Sequence, residues 1–175
     1  MPSLNQDQSI HFIITGGTID SHYDGVKDTA VPNETSVIPS FIESLRLSNP
    51  TEFTTVCMKD SRELKHEDLE NILKTAEESN HTKIIVTHGT YTMPDTARFL
   101  KANLTRKDQT IIFTASSIPI SGFSPSDGPF NLGYAVAKAE ELESGIYVAI
   151  NGQVFSPEEV MKVMSEARFV SIFQR

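Results

Sequence analysis

Five short apolar runs rich in β-branched residues, most of them separated by helix-period segments, constrain this chain more than anything else in it. The runs are His11–Ile14, Phe53–Met58, Lys83–His88, Thr110–Ala115 and Gly145–Ile150. A strand with one wet face alternates apolar and polar residues. A near-continuous apolar run belongs to a strand covered on both faces, as in parallel sheets. The segments between them repeat apolar residues at helical spacing. Leu69, Ile72, Leu73 and Ala76 form one stripe, Met93, Ala97, Leu100 and Leu104 a second, and Leu132, Ala135, Val136, Ala139 and Leu142 a third. A weaker helix is expected from Pro39 to Leu47. A last helix is expected to open at Ser156-Pro157-Glu158-Glu159, which reads as a capping box with proline at the first helical position. Strands alternating with helices give right-handed crossovers. The expected fold is therefore α/β, a doubly wound, mostly parallel three-layer sheet, in one domain over residues 1–175.

Charge and cysteine usage narrow the function classes. The formal net charge is −8, so no basic face is expected for nucleic acid or an anionic membrane. The single cysteine, Cys57, lies inside an apolar run and reads as a buried core thiol. Residues Met1 to Ser9 lack the basic and apolar regions of a secretory signal, and no apolar run is long enough to span a bilayer. The expected compartment is the cytoplasm. His11, His22, His66, His81 and His88 show no metal-ligand spacing, so neither a metal nor another cofactor is expected.

In an open α/β sheet, ligands bind outside the carboxyl ends of the strands. Thr15–Thr18, Lys59–Arg62, Thr87–Thr92 and Ser116–Ser117 all follow strand runs, so they are expected to converge on one edge. Two glycines before Thr18 permit a sharp turn and leave room for a ligand, although Thr15-Gly16-Gly17-Thr18 also suits a plain strand-end turn. His88-Gly89-Thr90-Tyr91-Thr92 places two threonine hydroxyls at a helix N-terminus, where backbone N–H groups favour an anion. There Thr92 is expected to cap the helix, with Asp95 three residues on, and His88 to be structural. Lys162 sits among Val160, Met161, Val163 and Met164, where it is either a snorkelling surface lysine or a partly buried amine with a lowered pKa suited to a general base. The polar stretches 19–33 and 116–128 have the length of lids or binding loops.

Four motifs then carry a resemblance. Thr15-Gly16-Gly17-Thr18-Ile19 resembles the first signature of the bacterial-type L-asparaginase/glutaminase family, whose second threonine is the nucleophile. Thr87-His88-Gly89-Thr90-Tyr91-Thr92-Met93, with Thr96-Ala97-Arg98-Phe99-Leu100, is similar to the second signature. Asp60-Ser61 matches the segment whose serine holds the substrate α-carboxylate, and Ser126–Leu132 matches a further shared stretch. The resemblance implies a flavodoxin-like sheet and an amidohydrolase that passes through an acyl-enzyme and releases ammonia. It implies Thr18 as nucleophile and Thr90 with Lys162 as the hydroxyl–amine pair. Substrate binding would fall to Gly17, Asp60, Ser61, Arg62, Gly89 and Tyr91, and Tyr23 lies in the loop that carries the family's lid tyrosine.

Two departures are written in the same residues. Tyr91 stands where the family has an aspartate that binds the substrate ammonium, and a neutral phenol cannot supply that ion pair. Arg62 stands where a small or amide residue is usual. The family's C-terminal domain is expected to be absent, which would expose apolar surface and favour a homodimer or larger assembly. Two function classes follow: an asparaginase-like hydrolase of a small amide, or a small-molecule binding domain that keeps the pocket without turnover.

Overall fold

The computed structural model describes residues 8–173. Of the segment Met1 to Ser9, residues 1–7 lie outside the described part. Each of the five apolar runs forms a strand: β1 (Ile10–Gly16), then after β2 (Ser21–Asp24), β3 (Thr29–Pro32) and α1 (Ile38–Ser44) comes β4 (Thr51–Lys59). After α2 (His66–Glu78) the chain continues through β5 (Lys83–Thr87), α3 (Met93–Asn103), β6 (Thr110–Thr114), α4 (Gly128–Glu141) and β7 (Gly145–Ile150). Three short strands close the described part, β8 (Gln153–Phe155), β9 (Val160–Val163) and β10 (Arg168–Ser171).

The central sheet runs β4-β1-β5-β6-β7-β8. Its first five strands are parallel and β8 returns antiparallel to β7. Alternate residues of each central strand feed opposite faces. Ile13, Val86, Phe113 and Val148 pack with Ile72 and Ala76 of α2 and Met93, Ala97 and Leu100 of α3. Phe12, Ile14, Ile85 and Ile112 pack with Ile38 and Ile42 of α1 and Leu132, Ala135 and Ala139 of α4. This is the three-layer, doubly wound fold that near-continuous apolar strands require. Among the described residues no helix is long and apolar enough to cross a membrane.

From β1 the chain crosses one way to β4 at the edge and later the other way through β5, β6 and β7. The strand order thus reverses between β1 and β5, and a crevice opens at their carboxyl ends. The glycine turn after β1 and the threonine-rich turn after β5 leave the sheet there.

The expected last helix is not formed. Glu159 Oε1 does accept the Ser156 backbone N–H (2.7 Å), so the capping-box contact exists, but it closes a turn. Val160–Val163 then pairs antiparallel with Arg168–Ser171, Lys162 facing Phe169 in register. The Ile172 N–H bonds the Glu159 carbonyl (2.8 Å), and the Ser171 hydroxyl bonds Glu159 Oε2 (2.8 Å). Cross-strand partners thus hold in β geometry a segment whose β-branched Val160 and Val163 already favour it. Lys162 is a strand residue. The stretch 19–33, aperiodic in sequence, is largely the β2–β3 hairpin.

Candidate active site

The crevice is built by backbone contact between motifs far apart in sequence. Gly17 has φ +76°, and a Cβ on it would lie 2.5 Å from the Gly89 nitrogen. A Cβ on Gly89 would lie 2.6 Å from Ser61 Oγ. Only hydrogen at both positions permits the turns after β1, β4 and β5 to stack, which brings the loops of Thr18, Ser61 and Thr90 together. The Gly17 N–H bonds the Lys59 carbonyl (2.9 Å), and the Gly17 carbonyl accepts from the Ser21 hydroxyl (2.7 Å), so Thr18 starts a short 3₁₀ turn fixed at both ends.

Thr90 is buried, and Lys162 reaches it from β9, its Nζ donating to Thr90 Oγ1 at 2.7 Å. Burial lowers the Lys162 pKa from its usual range, and the nearby Arg62 charge lowers it further. A hydroxyl joined to an amine of reduced basicity is an arrangement that shuttles a proton. Lys162 is half-buried, neither fully exposed nor enclosed.

Tyr91 is 46% exposed and is flanked by cations. The Arg62 guanidinium and Lys162 Nζ each lie 4.5 Å from its ring centroid. Asp60 grips Arg62 with both oxygens, Nε–Oδ1 at 2.9 Å and Nη2–Oδ2 at 2.7 Å, and Oδ1 also accepts the Arg62 backbone N–H (2.9 Å). That pairing holds the Asp60 carboxyl below the usual carboxylate range. Of the expected binding residues, Arg62 therefore meets a carboxylate of its own chain.

Thr92 occupies the position before α3, but its hydroxyl makes no capping bond to the helix. It donates to the Ser61 carbonyl (2.9 Å), and the Thr92 N–H points to Ser61 Oγ (3.4 Å). The expected cap is instead a strap between two site loops, because the β4 turn lies close enough to compete. Asp95 pairs with Arg98 (2.9 Å). His88 is fully buried, which pushes its pKa down to about 4; its Nδ1 lies 2.9 Å from the Gly89 carbonyl, and its Nε2 is buried without a partner among the described residues. Cys57 is half-buried and its thiol is pushed up to about 11, consistent with an inert thiol.

Thr18 opens on a cleft of about 530 Å³ whose other walls include Tyr23, Ala30, Ser117, Ile118 and Phe123. Tyr23 lies on β2, and its hydroxyl donates to Asp28. Sequence reasoning gave no role to the groups that hold these walls, although Asp127 and Asn131 lie in the matched stretch Ser126–Leu132. The fully buried Asp20 accepts from Asn33 Nδ2 (3.0 Å) and the Val37 N–H (2.9 Å), anchoring the base of the β2–β3 hairpin. The Asp127 carboxylate does not cap the backbone of α4 but accepts the N–H groups of Ser117 and Ile118, both at 2.9 Å. Asn131, one turn on, donates to the Ala115 carbonyl (2.9 Å) and to Asp127 Oδ2 (3.2 Å). The spacing of Asp127 and Asn131 at i, i+4 on the α4 entry was the available signal.

Residues 9–173 match the family model described as Asparaginase, N-terminal. The chain is 33% identical over 175 residues to L-asparaginase 2 of Bacillus subtilis (strain 168), an alignment covering 88% of this chain and 44% of that protein. A probable cytoplasmic L-asparaginase from Campylobacter jejuni superposes with a TM-score of 0.81 at 26% identity, over 94% of this chain and 53% of the other. The thermostable L-asparaginase from Thermococcus kodakarensis gives 0.80 at 27%, over 95% and 52%. The chain thus spans about half the length of the relatives it matches.

Proposed function

From the premise that this chain belongs to the asparaginase family, we propose that it is an amidohydrolase releasing ammonia from a small amide through a threonine nucleophile. Thr18 Oγ1 attacks the amide carbon. The carbonyl oxygen takes up the charge of a tetrahedral intermediate, and ammonia leaves with a proton from the site. Water then cleaves the threonine ester. Thr90 and Lys162 form the base that accepts the proton of the attacking hydroxyl or water. The single observation that carries this reading is the 2.7 Å Lys162–Thr90 hydrogen bond, made by an amine whose pKa is lowered by burial and by Arg62. Gly89, Ser61 and Gly17 shape the substrate floor, and Tyr23 on its hairpin closes over Thr18. The protein works in the cytoplasm as a homodimer or larger assembly.

Ammonia release from L-asparagine, L-glutamine and simple amides, measured beside Thr18→Ala, tests the proposal. Expected is turnover lost by about two to four orders of magnitude in the variant. Absence of Thr18-dependent turnover on every amide overturns the hydrolytic reading. One observation favours a second reading, a binding domain without turnover: Tyr91 offers no carboxylate beside Thr90. Thermal stabilisation by small carboxylates and amides without ammonia release is its signature.

A further inference from the structure

In the loop 116–128 that walls the Thr18 cleft, the polar groups are spent on the loop itself. The Ser116 and Ser126 hydroxyls both donate to the Ile118 carbonyl (2.6 and 3.0 Å), and Asp127 accepts the N–H groups of Ser117 and Ile118. The Ile120 N–H bonds the Ile19 carbonyl (3.2 Å), which ties the loop to the turn that carries Thr18. Ile118 and Phe123 are left 36% and 38% exposed, and with Pro119 and Pro125 they form one wall of the cleft. The β2–β3 hairpin supplies Ala30 and the Tyr23 ring, whose hydroxyl is given to Asp28. No residue lining this cleft carries a charged side chain; its polar atoms are backbone groups and hydroxyls. A second hollow against the same hairpin is lined by Asp24, Glu34, Asp60, Arg62 and Glu63. A charged group finds its partners in that hollow, not in the cleft that Thr18 shares. At about 530 Å³ the cleft falls within the roughly 300–1,000 Å³ of sites that enclose a drug-sized ligand, and far exceeds the needs of a carboxamide alone.

We propose that this cleft receives an apolar group of aryl size carried by the amide that Thr18 attacks, with Ile118 and Phe123 as the residues that select it. The substrate class is an amide with an uncharged aromatic or branched apolar substituent, on its acyl carbon or on its nitrogen. In either case the Thr18 Oγ1–carbon bond forms and the carbon–nitrogen bond breaks. The nitrogen takes up the proton given up by the hydroxyl and leaves as ammonia or as an aryl amine, and water then cleaves the ester. This deepens the amidohydrolase reading and rests on it for turnover, but its binding half does not.

Phenylacetamide, with the ring on the acyl side, and acetanilide, with the ring on nitrogen, are the probes, and acetamide is their common core. Titration calorimetry on the Thr18→Ala protein separates binding from chemistry. Expected for one of the two is a Kd at least tenfold below that of acetamide, with no weakening as salt is raised. The tighter of the two tells which side of the amide carries the apolar group. Phe123→Ala is expected to bring that aryl amide within about threefold of acetamide, and Phe123→Leu to keep most of the preference. Circular dichroism on each variant confirms folding, and the Thr18→Ala comparison decides alone if a variant is unfolded. Equal or tighter binding of acetamide, no binding of any of the three, or a preference that survives Phe123→Ala overturns the inference. Turnover by the native protein with higher kcat/KM on L-asparagine than on either aryl amide overturns it too, while leaving the amidohydrolase reading intact. A tenfold, Phe123-dependent preference with neither ammonia nor aniline released from any amide does the reverse.

Discussion

Lys162 joins three observations that are separate in the chain. Its ammonium bonds Thr90, lies against the Tyr91 ring, and feels the like charge of Arg62. A base works when unprotonated, so in the proposed reaction activity rises as pH climbs through the Lys162 pKa. Burial and Arg62 both move that rise to lower pH. Arg62→Gln removes the like charge and is expected to shift the ascending limb of the kcat/KM profile to higher pH, with a severalfold loss near neutrality. A profile that does not move would show that Lys162 is not the titrating base. Lys162 was legible as a candidate from its apolar neighbours. Its pairing with Tyr91 was not, because aromatic–cation geometry depends on where two distant turns meet.

At the scale of elements, the site depends on turns that accept no side chain. Gly17→Ala would add a Cβ at a positive φ and within 2.5 Å of the Gly89 backbone. The expected cost is at least about 2 kcal/mol, with the Thr18 and Thr90 loops forced apart. A lowered thermal midpoint together with loss of Thr18-dependent turnover checks it, and a variant of unchanged stability and activity would refute the close packing. The β9–β10 hairpin shows the limit of local pattern. Ser156-Pro157-Glu158-Glu159 carries the signals of a helix start, and one of its contacts is made. Whether a helix follows depends on Ser171 and Ile172, which engage Glu159 from the opposite strand. Thr92 repeats the lesson, since its hydroxyl serves Ser61 in place of its own helix.

Across the whole molecule, two apolar layers of helices hold the sheet, and the buried polar groups set how it responds to pH. His88 is fully buried with its pKa pushed down to about 4, against 6.5 in an open chain. Between those values the unfolded chain binds the proton and the folded one does not, so stability falls as pH drops from about 6.5 toward 4. The contribution of this group is about 3 kcal/mol, present at neutral pH and gone below pH 4. Denaturant unfolding at several pH values checks it; His88→Gln is expected to flatten the acid limb. The proposed homo-oligomer is read by native mass measurement, where a monomer alone would refute it. Met161, Met164 and Ile172 are exposed around the end of the chain that carries Lys162, an apolar surface suited to such a contact. What the sequence determined by itself was the layered α/β sheet and the residue types at its strand ends. Apolar runs covered on both faces admit few other folds, and short motifs keep their chemistry wherever they are placed. Only the tertiary structure decided which groups meet: Gly17 on Gly89, Lys162 on Thr90, Arg62 and Lys162 on Tyr91. Those contacts join segments tens of residues apart, and the parallel pairing of β1 with β5 at the sheet's reversal point, not any local propensity, brings the turns that follow them within reach.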